Sequence, residues 1–228
     1  MLKPFSALDI IALAGFIGAW LGYAIVIEWT PFGRQSLNGR MNRYRDEWVR
    51  RILGREMRMV DTQILAALQN GTAFFASTSL LAIGGALTLL RSTEELILVV
   101  SGLPFGIQAT RELWEAKTIG LVLIFAYAFF KFGWSYRLFN YVAILVGAMP
   151  YASERDTPEA AAHVRRTARL FEAAGLHFNR GQRAFFFAIG YLGWFVGPVV
   201  LMIATVAVLW TMWRRQFACD AMRAIAAE

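Results

Sequence analysis

One cysteine, Cys219, and two histidines, His163 and His177, are all that this 228-residue chain offers of the usual soft metal ligands. That scarcity excludes a disulfide framework, a Cys-based zinc or iron–sulfur site and a His-rich metal centre. The histidines stand 14 residues apart on either side of a basic stretch, which suits solvated side chains better than a catalytic pair. No phosphate-cradling glycine loop and no nucleophile elbow occurs. The expectation is therefore no catalytic set, no metal and no cofactor. Charge is scarce too, at 17% of residues against about 25% in ordinary soluble chains.

Apolar residues take the vacated share. Counting glycine and leaving out tyrosine they reach roughly 62%, where soluble domains run about 45–50%. A water-soluble globule has too little interior to hide so much apolar surface, so the chain reads as lipid-embedded. The fold class expected is all-α: a polytopic integral membrane protein, a four-transmembrane-helix bundle with amphipathic interfacial loop helices, in one membrane domain over residues 1–228.

Four hydrophobic stretches are long enough to cross about 30 Å of hydrocarbon, which takes about 20 residues. The first, 7–29, reads as a retained anchor rather than a signal peptide, because only Lys3 precedes it and no A-x-A cleavage site follows. Its Ala14, Gly18 and Gly22 fall every fourth residue and suggest tight packing inside the bundle. The second is 62–90. The third is 118–138, extending to 149, with Arg137 at the headgroups and Lys131 snorkelling towards them. The fourth is 184–213, with a kink expected at Pro198. The apolar run 96–107 is too short to cross and reads as interfacial or re-entrant.

Two connections are basic. Residues 34–60 hold eight arginines, with Met41, Tyr44, Trp48, Ile52 and Met59 at helical spacing. Such an amphipathic helix can lie in the membrane interface, with Arg43, Arg50, Arg51, Arg55 and Arg58 contacting anionic headgroups. In the other, 150–184, Thr157 and Pro158 open a helix that Gly175 is expected to end, with Val164, Ala168 and Phe171 on its buried face. An excess of Lys and Arg over the first and third connections, eight and six against three in residues 91–117, places both basic loops in the cytoplasm. Four crossings then put both termini in the periplasm. The net charge of +7 is thus a topology and headgroup signal, and no nucleic-acid partner is expected.

Polar groups inside the apolar stretches define a candidate intramembrane site. On the second span Gln63, Asn70 and Ser77 share a narrow arc with Gly84 and Thr88, and unpaired amides in hydrocarbon are costly, so this arc should face protein. Lys131, Arg137 and Asn140 on the third span would face it. Asp61 would pair with Arg137 or Arg58.

Three stretches together resemble a known family: Trp48 through Arg58 and Asp61 into Phe74-Phe75-Ala76-Ser77-Thr78; Lys131-Phe132-Gly133-Trp134-Ser135-Tyr136-Arg137 with Asn140, Gly147 and Pro150; and Phe178-Asn179-Arg180-Gly181-Gln182-Arg183-Ala184 leading to Trp194, Gly197 and Pro198. Their order and spacing over residues 40–215 are similar to the bacterial and plant membrane proteins called domain of unknown function 599. The resemblance implies a multi-pass membrane protein and carries no activity; the expected location is a bacterial inner membrane. Among function classes, a non-catalytic accessory, assembly or structural component comes first, partnered by anionic lipids and by other membrane subunits or its own copies. An oligomeric channel or transporter for a small anion is the alternative, and an enzyme acting on lipid headgroups is the third.

Overall fold

A computed structural model describes residues 5–95, 97 and 110–226. The short apolar run 96–107 therefore falls almost entirely outside the described residues. Among those residues every regular element is helical: α1 (Ala7–Trp29), α2 (Pro31–Gln35), α3 (Leu37–Leu53), α4 (Met59–Arg91), α5 (Arg111–Gly147), α6 (Pro158–Val196), α7 (Pro198–Phe217) and α8 (Asp220–Ala226), with a 3₁₀ turn at Ala152–Glu154. Four stretches have the length and apolarity to cross a membrane: Ala7–Trp29, Met59–Arg91, Arg111–Gly147 and Pro198–Ile225. At 1.5 Å per residue the 37 residues of α5 extend about 55 Å, well past a hydrocarbon core.

The helix starts follow local chemistry. Ser6 and Asp9 form a reciprocal capping box on α1, and the side chains of Ser36, Thr110 and Thr157 accept from backbone N–H groups at the starts of α3, α5 and α6. The ends are less legible. Gly175 does not stop its helix; α6 runs on for 39 residues to Val196. Gly175 serves a close approach instead, since a Cβ there would lie 2.8 Å from the guanidinium carbon of Arg45 on α3. The expected fourth span, 184–213, is not one kinked helix either. Proline disfavours helical backbone in the residue before it and has no N–H to continue the ladder, so Gly197 is extended and Pro198 opens a new helix. The chain reverses there. Gly193 allows α6 and α7 to close into a hairpin, for its Cβ would meet the Val200 carbonyl oxygen at 3.0 Å.

Two apolar cores lie along the bundle. The first joins α1, α4, α5, α6 and α7 around Phe16, Phe132, Phe187, Tyr191 and Leu201. Within it Phe75 of α4 stacks on Phe132 of α5, with ring centroids 5.3 Å apart, and Trp20 of α1 stacks on Phe187 of α6 at 5.0 Å. Phe132 owes its seat to Gly181, where a Cβ would come within 2.7 Å of the ring. The second core joins α3 to the near ends of α4, α5 and α6 through Val49, Ile52, Val142, Val146, Val164 and Phe171. The apolar face of α3 is therefore covered at Val49, Ile52 and Leu53 by protein, while Met41, Tyr44 and Met59 stay exposed.

The hairpin changes which segments share an end. At one end Phe5 stacks on Trp194, and the Trp194 indole N–H donates to Asp9 at 2.8 Å. At the other, the backbone N–H of Asn38 donates to Gln216 at 3.3 Å, Tyr23 donates to the Met212 carbonyl at 3.4 Å and Arg40 to that of Ile225 at 3.4 Å. Residues 5 and 225 thus lie at opposite ends of the bundle, not at one end as four crossings required. The last helices join the basic end that holds α3 and the first half of α6.

Candidate functional site

The polar residues picked out from the sequence do not converge. Gln63, Asn70, Ser77, Gly84 and Thr88 all sit on the exposed face of α4. The face turned to α5 carries Leu65, Thr72, Ser79 and Ala86, a seven-residue repeat offset from the polar one by two positions. A helical wheel grouped the polar residues correctly but could not say which side had a neighbour. The amide link between α4 and α5 is Gln69 Nε2 donating to Asn140 Oδ1 at 2.7 Å. Arg137 is exposed and donates to Tyr141 one turn along, and the Lys131 ammonium lies over the Tyr127 ring at 5.1 Å. Within one chain no hydrogen bond joins Lys131 or Arg137 to the α4 stripe among the described residues.

Asp61 is fully buried, but its partners are Arg55 and the Trp48 indole, 2.7 Å away, rather than Arg137 or Arg58. Arg58 instead donates to the carbonyls of Met149 and Pro150, tying α4 to the turn after α5. Arg50 and Arg51 pair with Asp46 and Glu47 one turn back. Of the five arginines expected at headgroups, only Arg43 has no ion-pair or hydrogen-bond partner among the described residues. The small-residue face of α1 also points outward: Gly18 and Gly22 have open space where a Cβ would be, and Ala14 is exposed.

Two buried charge clusters escaped the sequence reading. At the α1 start, Asp9 and Lys117 are each 6% exposed, and Lys117 donates to the Trp194 carbonyl at 2.7 Å, satisfying an orphan acceptor in the last turn of α6. At the α1 end, Glu28 is clasped by two guanidinium groups of α6: Arg180 donates to both carboxylate oxygens and Arg183 to one. Arg183 is only 5% exposed, packs over the Tyr23 ring at 5.8 Å, and keeps its Nη1 buried without a partner. The available signal was a carboxylate at the edge of an apolar run, a residue type rarely buried unpaired.

This clasp forms the floor of a cavity of about 1350 Å³ bounded by the end of α1, α2, α3, the first half of α6 and the end of α7. Seven arginines line it (Arg34, Arg40, Arg43, Arg165, Arg169, Arg180 and Arg183) against three acids, Glu28, Asp46 and Glu172. The hydrogen bonds that Arg180 donates to Glu28 hold its guanidinium above its usual range, while burial pulls Arg45, behind the wall, below its own.

Nearby, burial and then the charges of Lys131 and Arg180 lower the His177 imidazole, and Glu28 offsets them only in part. A folded value below the unfolded ~6.5 means the unfolded chain binds the extra proton as pH falls, so His177 costs stability on acidification below about 6.5. His177→Gln is therefore expected to flatten the loss of thermal stability between about pH 7 and pH 5. Parallel melting curves of the two proteins across that range measure it, and identical pH dependence would refute it.

Comparison with known proteins adds one decisive match: the model of the family described as "Protein of unknown function, DUF599" covers residues 11–221. The chain belongs to that family. Nothing about an activity comes with this membership. No curated protein and no solved structure matches the chain.

Proposed function

We propose that this DUF599 member is a non-catalytic, multi-pass component of a bacterial inner membrane that acts within an assembly built through α4. The observation that carries it is the exposed polar stripe of that helix. Asn70 and Ser77 lie within its apolar stretch, and neither side chain has a hydrogen-bond partner among the described residues. Exposure to lipid would leave an amide unpaired in hydrocarbon, at a cost of several kcal/mol on the order given by transfer to apolar solvent.

The partner of best fit is a second copy. Gln63, Asn70, Ser77 and Gly84 recur every seven residues, the period of a left-handed helix pair. Two copies inserted with the same orientation would pair about a two-fold axis along the membrane normal, bringing each residue opposite itself. An amide both donates and accepts, so Asn70 satisfies Asn70. The buried charges support a non-catalytic reading, because Asp9, Glu28 and Asp61 are each committed to internal partners.

The membrane orientation in this reading has five crossings, with α6 and α7 as the last hairpin. The second half of α6, residues 177–196, would cross beside α7, with Arg180 and Arg183 at the headgroup end of the crossing. Arg214, Arg215 and Arg223 then join the arginines of α3 and α6 at one end, and the excess of positive charge assigns that end to the cytoplasm. Four crossings would leave these three arginines in the periplasm, against the charge rule, and five bring them inside.

Oxidative cross-linking in native membranes tests the assembly. In a Cys219→Ser background, Asn70→Cys and Ser77→Cys are expected to give a disulfide-linked dimer, whereas Leu123→Cys and Ile203→Cys, 64% and 65% exposed on other faces, stay monomeric. Equal cross-linking at all four positions, or none at Asn70 and Ser77, would remove the self-pairing.

A further inference from the structure

The arginine-lined cavity answers to a ligand that the assembly reading does not supply. Its floor holds two guanidinium groups against the single carboxylate of Glu28. The unpartnered Nη1 belongs to Arg183, a lining residue that is 95% buried. A buried cationic donor without an acceptor is costly and marks a place for an anion. Arg40, also in the wall, has a buried Nε in the same condition.

Around this floor Arg34, Arg43, Arg165 and Arg169 line the rim, all exposed and none in an ion pair among the described residues. Two of the three acids are already engaged. Glu28 holds Arg180 and Arg183, and Asp46 holds Arg50. Glu172 accepts from Asn42 at 3.1 Å. Arginine rather than lysine throughout suits a planar, bidentate acceptor such as a phosphoryl group.

Size and depth narrow the class. The volume of about 1350 Å³ exceeds the ~300–1,000 Å³ of common small-molecule pockets and is far more than a lone inorganic anion fills. Apolar side chains line it as well, among them Tyr23, Ile27, Leu176 and Met212. Arg183 is the last charge before the apolar run 184–196, and Glu28 the last before the end of α1. The floor therefore sits where apolar chain gives way to polar chain, the level of headgroups.

We infer that this cavity binds a phosphate-bearing anion, its phosphoryl oxygens held between the Arg183 Nη1 on the floor and the rim arginines. This site is separate from Arg50 and Arg51 of α3 and from Arg55 after it, which are spent on Asp46, Glu47 and Asp61. It does not depend on α4 pairing, because one protomer supplies every wall.

The test uses the full chain purified in a non-ionic detergent, with binding followed by native mass spectrometry and by tryptophan-fluorescence melting. Phosphatidylglycerol and phosphatidic acid form one arm, glycerol 3-phosphate and inorganic phosphate the other, and phosphatidylcholine is the zwitterionic control. Saturable binding in either anionic arm, absent with phosphatidylcholine, is expected. Binding in the lipid arm alone identifies a headgroup, whereas competition between the arms identifies the phosphoryl group itself.

The double variant Arg43→Gln/Arg169→Gln touches no ion pair, so it should fold, and it is expected to weaken binding about 25-fold at about fivefold per arginine near an anionic surface. Arg51→Gln/Arg155→Gln removes the same charge from outside the cavity, at arginines whose partners Glu47 and Asp156 do not line it, and should leave affinity within about twofold, the scale of exposed ion pairs. Equal losses in the two doubles would reduce the effect to general electrostatics and overturn the site. So would no binding in either arm, or phosphatidylcholine binding as tightly as phosphatidylglycerol.

Discussion

Glu28→Gln is expected to destabilise the protein by about 3–5 kcal/mol, the cost of removing one partner from a buried ion pair. The side chains of Glu28 and Arg183 are 10% and 6% exposed, and that of Arg180 is 26%. Loss of the carboxylate leaves two guanidinium groups facing each other across a half-dry floor. The glutamine carbonyl accepts from one of them, while its NH₂ turns a donor towards donors. Arg180 keeps some access to water, which places the effect towards the lower end of the range.

The clasp is also what fastens the end of α1 to α6, between residues more than 150 apart in sequence. Fraying of α1 at its Trp29 end should accompany the loss of stability. Melting in detergent micelles followed by tryptophan fluorescence gives the change, and Glu28→Gln/Arg183→Gln should recover part of it, since the second change removes the stranded charge. An unchanged midpoint in the single variant would show that the clasp does not hold in solution.

The second large effect is all-or-none. In intact cells or spheroplasts a membrane-impermeant maleimide is expected to leave Cys219 unlabelled, and to label it after lysis. The thiol is partly accessible and follows α7, which runs back from Gly197 to the basic end. Glu94→Cys in a Cys219→Ser background supplies the opposite result. Glu94 lies beyond the far end of α4, its side chain 79% exposed, and a thiol there should label without lysis. Two labelled positions would restore four crossings with both ends outside. The reverse pattern, Cys219 labelled and Glu94→Cys protected, would invert the orientation and with it the charge argument.

Both outcomes turn on features that were half legible. Glu28 was visible as a charge at the end of an apolar run, and Arg180 and Arg183 as part of a basic stretch. Nothing in the sequence joins them, because α1 and α6 are neighbours only through the reversal at Gly197. Pro198 was read as a kink because a proline within a helix bends it, and the same ring equally suits the first turn of a new helix. Which of these occurs depends on whether the next segment can pack back, and here Gly190 and Gly193 make room for α7. The polar arc of α4 was drawn correctly as an arc, but α5 packs on the opposite face, that of Leu65, Thr72, Ser79 and Ala86. Asn140 did meet an amide of α4, but it was Gln69, which the arc omitted.

By itself the sequence determined the all-helical class of the protein and the positions of the first three long apolar helices. In lipid each crossing must satisfy its backbone hydrogen bonds within its own segment, so length, apolarity and caps are local properties, readable one helix at a time. α1 appears where it was expected, and α4 and α5 within a turn or two. Only the tertiary structure decided which faces meet, where the chain turns back, and which arginines of a large surplus converge on one cavity. Those outcomes depend on contacts between residues far apart in the chain, and a helical wheel specifies an angle without specifying a neighbour.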